Sequence, residues 1–155
     1  MSNGRANYGT SSASYAEVYT ENVQVSSSEI GSPSTSDDVA WVPPVQKRMS
    51  EIRRLKNDWD GRGSASVPSE TLAFAFSMLS NIMPPRAPAP AIVPLGDGGV
   101  QLVWYSRRGE VEVEIARPNQ VIIFHQDRVA DTEREWEAST DFRRLSDILW
   151  GLFRD

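Results

Sequence analysis

The chain has 155 residues, 16 Lys and Arg against 21 Asp and Glu, a formal net charge of −5 and no cysteine. That length suits one domain, and the missing cysteine excludes disulfides, a thiolate nucleophile and a cysteine metal site. No apolar run approaches the ~20 residues needed to span a bilayer.

Residues 1–40 are rich in serine and poor in Leu, Ile and Phe. Such a segment buries too little surface to offset its ordering entropy, so a disordered acidic tail is expected, followed by a single domain at 41–155. The tail holds one basic residue (Arg5) and five acids (Glu17, Glu21, Glu29, Asp37 and Asp38), which leaves 15 basic and 16 acidic residues in the domain, a net of −1. A nearly neutral domain is a poor neutraliser of phosphates, so nucleic acid is not the expected partner, even with Lys47, Arg48, Arg53, Arg54 and Lys56 close together. The N-terminus lacks a basic stretch followed by an apolar one, and a cytoplasmic protein is the expectation.

In residues 44–59 the apolar side chains Val45, Met49, Ile52, Leu55 and Trp59 recur at helical spacing, and Asp60-Gly61 is placed to end that helix. Its continuation, residues 57–65 (NDWDGRGSA), has glycines but follows a helix, so it reads as a cap and turn and not as a phosphate cradle. A second helix is predicted over 68–83, with Pro68 at its start and apolar residues on most faces. Five prolines between 84 and 94 then impose an extended connector, in which residues 91–93 form at most a short edge strand.

Residues 99–115 (GVQLVWYSRRGEVEVEI) sort cleanly onto two faces of a hairpin. Pairing Tyr105 with Glu110 sets Val100 against Ile115, Leu102 against Val113 and Trp104 against Val111 on a dry face. Gln101, Val103 and Tyr105 then meet Glu114, Glu112 and Glu110 on an acidic face. A slip of one residue would oppose Trp104 and Glu112, so the pattern selects the register. Gly109 is expected to close the loop in a left-handed conformation. A strand over 120–126 follows the Pro118-Asn119 turn. A two-residue loop puts Ile122 and Phe124 on the dry face and Val121, Ile123 and His125 on the acidic face; a three-residue loop exchanges the sets. Residues 127–138 read as charged and irregular apart from Trp136. A last helix starts near Ser139 or Thr140 as N-cap, with Phe142, Leu145, Ile148, Leu149 and Leu152 as its stripe. The sum is an α+β fold in two layers: two N-terminal helices, an antiparallel meander of three or four strands, and one C-terminal helix.

Two kinds of chemistry suit the acidic face. In one, Glu112 and Glu114 with His125 opposite, and with Asp97 or Asp127 within reach, make a small metal-assisted hydrolase. Alternating glutamates are, however, the ordinary way to solvate a sheet, and the Glu112-Val113-Glu114 run lacks the lysine of a metal-dependent nuclease motif. We therefore assign no catalytic residue, metal or cofactor from the sequence. In the other, Val103, Val121 and Ile123 among the glutamates are more apolar than a water-facing surface needs. The last helix, a second copy of the chain or another protein then covers that face. Val103, Tyr105, Glu110, Glu112, Glu114 and Ile123 are its expected partner-binding residues, suited to Arg or Lys around an apolar ridge.

The succession WDGRGS (59–64), VPSETL (67–72), PAPAIVP (88–94), DGGVQLVW (97–104) and GEVEVEI (109–115) resembles a family of small bacterial proteins of no established activity. They share a Trp-Asp-Gly turn, a Pro-rich connector, an Asp-Gly-Gly strand entry and a Glu-alternating strand. The resemblance spans roughly residues 50–125, specific only in combination, and it carries over no catalytic residue. Where such proteins have Glu after the strand's Leu, this chain has Val103. The expectation is a non-enzymatic interaction or accessory protein, antitoxin- or inhibitor-like.

Overall fold

In the computed structural model, which describes residues 39–154, the domain forms three helices and one five-stranded antiparallel sheet in the order β1-β2-β3-β4-β5. The expectation for the tail lies, up to residue 38, outside the described residues.

Helix α1 (Val42–Arg53) begins with prolines in its first turn, where no backbone N–H is needed, and buries Val42, Val45, Met49 and Ile52. It is shorter than its apolar spacing suggests. Trp59 lies beyond it, in a loop that folds back on itself. There the indole donates to the Ala65 carbonyl at 2.9 Å, Asp58 Oδ1 accepts from Gly63 N at 2.6 Å, and Asp60 Oδ1 accepts from Arg62 N at 2.9 Å. These side chains build the turn; the donation from Ser64, then from Arg62 N, holds the Asp60 carboxyl below its ordinary range. Helix α2 (Ser69–Ile82) buries Leu72, Ala75, Phe76, Met78, Leu79 and Ile82. Helix α3 (Arg143–Leu152) starts later than a Ser139 or Thr140 cap would set it, with Phe142 at its N-cap and no side-chain cap. Asp141 accepts from the Arg143 backbone and pairs with its guanidinium, which holds the carboxyl at about 2.

The strands are β1 (Ala91–Pro94), β2 (Val100–Ser106), β3 (Gly109–Arg117), β4 (Gln120–Asp127) and β5 (Thr132–Ala138). The β2–β3 pairing is the one the alternation selects, from Val100 opposite Ile115 to Tyr105 opposite Glu110. The turn itself is two residues, Arg107 and Arg108, since Ser106 pairs with Gly109. Gly109 is the first residue of β3 and has the positive φ expected of it, at +158° and so more extended than a helical left-handed turn; a Cβ there would run into the Gln126 backbone carbonyl of β4.

Two expectations are corrected. Arg117 pairs with Gln120 across the two-residue turn, but Ile115 pairs with Val121, so Ala116 is an extra residue in β3. That bulge reverses the faces of β4: Val121 and Ile123 join the core at 2% and 0% exposure, while Ile122 and Phe124 turn outward. The sheet also has a fifth strand where irregular chain was expected. In β5, Arg134, Trp136 and Ala138 pair with the inward residues His125, Ile123 and Val121, and Glu133, Glu135 and Glu137 alternate with them.

One side of the sheet carries all three helices. Val100, Leu102, Trp104, Val111, Val113, Ile115, Val121 and Ile123 share one core with the buried faces of α1, α2 and α3. Arg48 of α1 donates to the Ile92 carbonyl of β1 at 2.9 Å, and Arg144 of α3 stacks 4.0 Å from the Trp136 ring of β5. The question left open by the sequence, which face the last helix covers, is answered: it covers the dry face.

Candidate functional site on the outer sheet face

Because side chains alternate along every strand and the register from β2 to β5 is unbroken on the Gly109–Ile115 side of the bulge, the outward residues fall into three cross-strand rows. Tyr105, Glu110, Gln126 and Glu133 form the first; Val103, Glu112, Phe124 and Glu135 the second; Gln101, Glu114, Ile122 and Glu137 the third. In each row a glutamate of β3 and a glutamate of β5 flank a residue of β4. The face is thus two columns of carboxylates with Phe124 and Ile122 between them. Arg134, the one cation inside β5, points to the helix side with His125.

Among the expected partner residues, Tyr105, Glu110, Glu112 and Glu114 are on this face, and Tyr105 is 63% exposed. Val103 shares the face but is only 7% exposed, so it contributes to the floor. Ile123 does not belong to the set: the bulge turns it into the core. Ile122, 42% exposed, and half-buried Phe124 take its place. Sequence reading missed Glu133, Glu135 and Glu137, although their period of two repeats that of Glu110, Glu112 and Glu114. A depression of ≈ 550 Å³ closes one end of the apolar strip, with Glu114, Ile122 and Glu137 among its lining residues and Asn119 and Ser139 at its rim. Asn119 braces that rim by donating to the Ser139 carbonyl at 3.0 Å.

Electrostatics follow from crowding. Partial burial, then repulsion from Glu110 and Glu114, pushes the Glu112 carboxyl above its ordinary 4.5. Burial, then the charge of Glu110 and a hydrogen bond to it, raises the Tyr105 phenol. Folded Glu112 therefore binds its proton more readily than the unfolded chain does. Its penalty is present at neutral pH, diminishes as pH falls through the raised value, and is gone below 4.5. Glu112→Gln is accordingly expected to stabilise the fold at pH 7 by up to about 0.5 kcal/mol, since solvent screens the repulsion, and to have no effect at pH 4. Thermal melts of both forms across that range measure it; a gain that grows toward low pH contradicts the assignment.

The metal-hydrolase arrangement is not assembled. His125 lies opposite Val111 on the helix side, across the sheet from Glu112 and Glu114. Burial there, with Arg134 and Arg144 adding to it against Asp127, lowers the imidazole below its ordinary value. Asp97 caps its own turn, accepting from Gly99 N at 3.0 Å, and Asp127 accepts from Val129 and Ala130 N at 2.9 Å. Among the described residues, no group of three or more His, Asp or Glu is disposed to hold a metal ion. On the basic segment, Lys47 and Arg48 pair with Glu51 at 3.6 and 3.1 Å. Among the described residues no helix is long and apolar enough to cross a membrane.

No family model matches the chain, and no curated protein or solved structure matches it.

Proposed function

We propose that this chain is a non-enzymatic interaction protein, an accessory or inhibitory subunit of the antitoxin kind, that holds a protein partner against the outer face of its sheet. The observation that carries the reading is the asymmetry of the layers. All three helices pack on one side, while the other bears an apolar strip framed by six glutamates. A face meant only for water has no need of Ile122, Phe124 and Tyr105. A second copy docked through the same face would oppose two carboxylate arrays, so a different, basic chain is the better partner. The resemblance to small bacterial proteins suggests a bacterial cytoplasm as the setting and adds no activity.

Charge reversal separates binding from folding. Glu112→Lys inserts a cation between two neighbouring carboxylates, Glu110 and Glu114, and is expected to leave the melting temperature within a few degrees of the parent. The same change sets like charge against a basic partner and is expected to weaken binding by tenfold or more, roughly the 1.4 kcal/mol or greater typical of a charge pair inside an interface. A stoichiometric partner recovered from the native host with the parent chain and lost with Glu112→Lys supports the reading; equal loss of fold and partner sinks it.

A further inference from the structure

We infer that the occupant of the outer face is a basic amphipathic α-helix lying along β4. This rests on the protein-binding reading above and names the form of the partner.

The dimensions select a helix. Neighbouring strands are about 4.8 Å apart, so the glutamate columns on β3 and β5 stand about 10 Å apart with β4 midway. A helix is roughly 10–12 Å across with its side chains, so one laid over β4 reaches both columns at once. Successive rows repeat about every 7 Å along a strand, and three rows span roughly 14 Å, or about nine residues of helix.

The chemistry selects its faces. Phe124 and Ile122 offer the centre of the strip to an apolar stripe, the i, i+3, i+4, i+7 pattern that a helix presents in one line. Glu110, Glu112 and Glu114 on one side and Glu133, Glu135 and Glu137 on the other then meet Lys or Arg on both flanks of that stripe. An extended strand shows one column of side chains to a surface and serves either the apolar centre or one acidic edge, not all three. A plain polycation satisfies the glutamates and leaves Phe124 and Ile122 in water.

The test uses the full chain and two labelled peptides of about 18 residues with the same Leu, Ala, Lys and Arg composition. One places leucines in a single helical stripe between basic flanks; the other scrambles them. Fluorescence anisotropy near 0.15 M salt is expected to give the striped peptide a Kd at least tenfold lower, with helical circular dichroism on binding. Phe124→Ser and the double change Glu112→Lys, Glu135→Lys are each expected to lose tenfold or more while thermal melts confirm the fold. Equal binding of both peptides, or binding indifferent to these changes, overturns the helix. A photo-crosslinker at position 122, used in the native host, separates this inference from the reading beneath it. A partner captured there through an extended segment overturns the helix and keeps the protein-binding face. Absence of any protein cross-link, together with no peptide binding, overturns both.

Discussion

Ile123→Asp is expected to abolish the folded state, whereas Ile122→Asp, one residue earlier in the same strand, leaves it intact. Ile123 is fully buried between Val113 and Trp136 on the helix side; Ile122 is 42% exposed between Glu114 and Glu137. Replacing Ile123 forfeits about 1.5–3 kcal/mol of burial and forces a carboxyl, charged or protonated, into an apolar layer at a cost of several kcal/mol more. The sum approaches the whole stability of about 5–15 kcal/mol expected of a domain. At 122 the new carboxylate adds repulsion to its neighbours and removes a half-exposed side chain, about 1 kcal/mol in all. Circular dichroism melts of the two variants decide it. The pair also tests the Ala116 bulge directly: without the extra residue the two faces exchange, and the damaging position becomes 122.

The second large effect is expected at Gly109. Alanine there is expected to lower stability by about 1–3 kcal/mol or more, roughly 5–15 °C in melting temperature for a domain of this size. The main cause is a close approach across the ladder, to which the positive φ of +158° adds. The added Cβ falls well inside contact distance of the Gln126 carbonyl oxygen, a backbone atom that moves only if the β3–β4 pairing opens. Gly151 provides the control within the same chain. A Cβ at that position, in the last turn of α3, meets nothing within 4 Å, and alanine is favoured over glycine there by a fraction of the ~1 kcal/mol of a helix interior. Urea unfolding of Gly109→Ala and Gly151→Ala is expected to move the midpoint in opposite directions; a harmless Gly109→Ala contradicts the close approach.

These contrasts show where sequence reading had purchase. The β2–β3 register was legible because only one parity of each strand is apolar throughout: Val100, Leu102 and Trp104 against Ile115, Val113 and Val111. In β4 both parities are apolar, Val121 and Ile123 against Ile122 and Phe124, so alternation had no preference and turn length stood in for it. The turn is indeed two residues, yet Ala116 adds one residue to the incoming strand and reverses the outcome. In β5 the period-two glutamates were present but read as irregular, because half of the inward set is polar. Thr132 and Arg134 reveal their side of the strand only when seen paired with β4.

The sequence by itself therefore determined the α+β class, the three helices, and a sheet with one apolar and one acidic face. It also determined half of the carboxylate array, Glu110, Glu112 and Glu114, since local alternation sufficed to place them. Only the tertiary structure decided that Ile123 is core and Ile122 surface, that His125 stands on the far side of the sheet from Glu112, and that α3 joins α1 and α2 on the dry face. Each of those outcomes depends on parity carried across several strands or on which layer a helix meets. A single extra residue such as Ala116 inverts that parity without altering any local pattern, because alternation specifies which residues share a face and long-range packing specifies which face is buried.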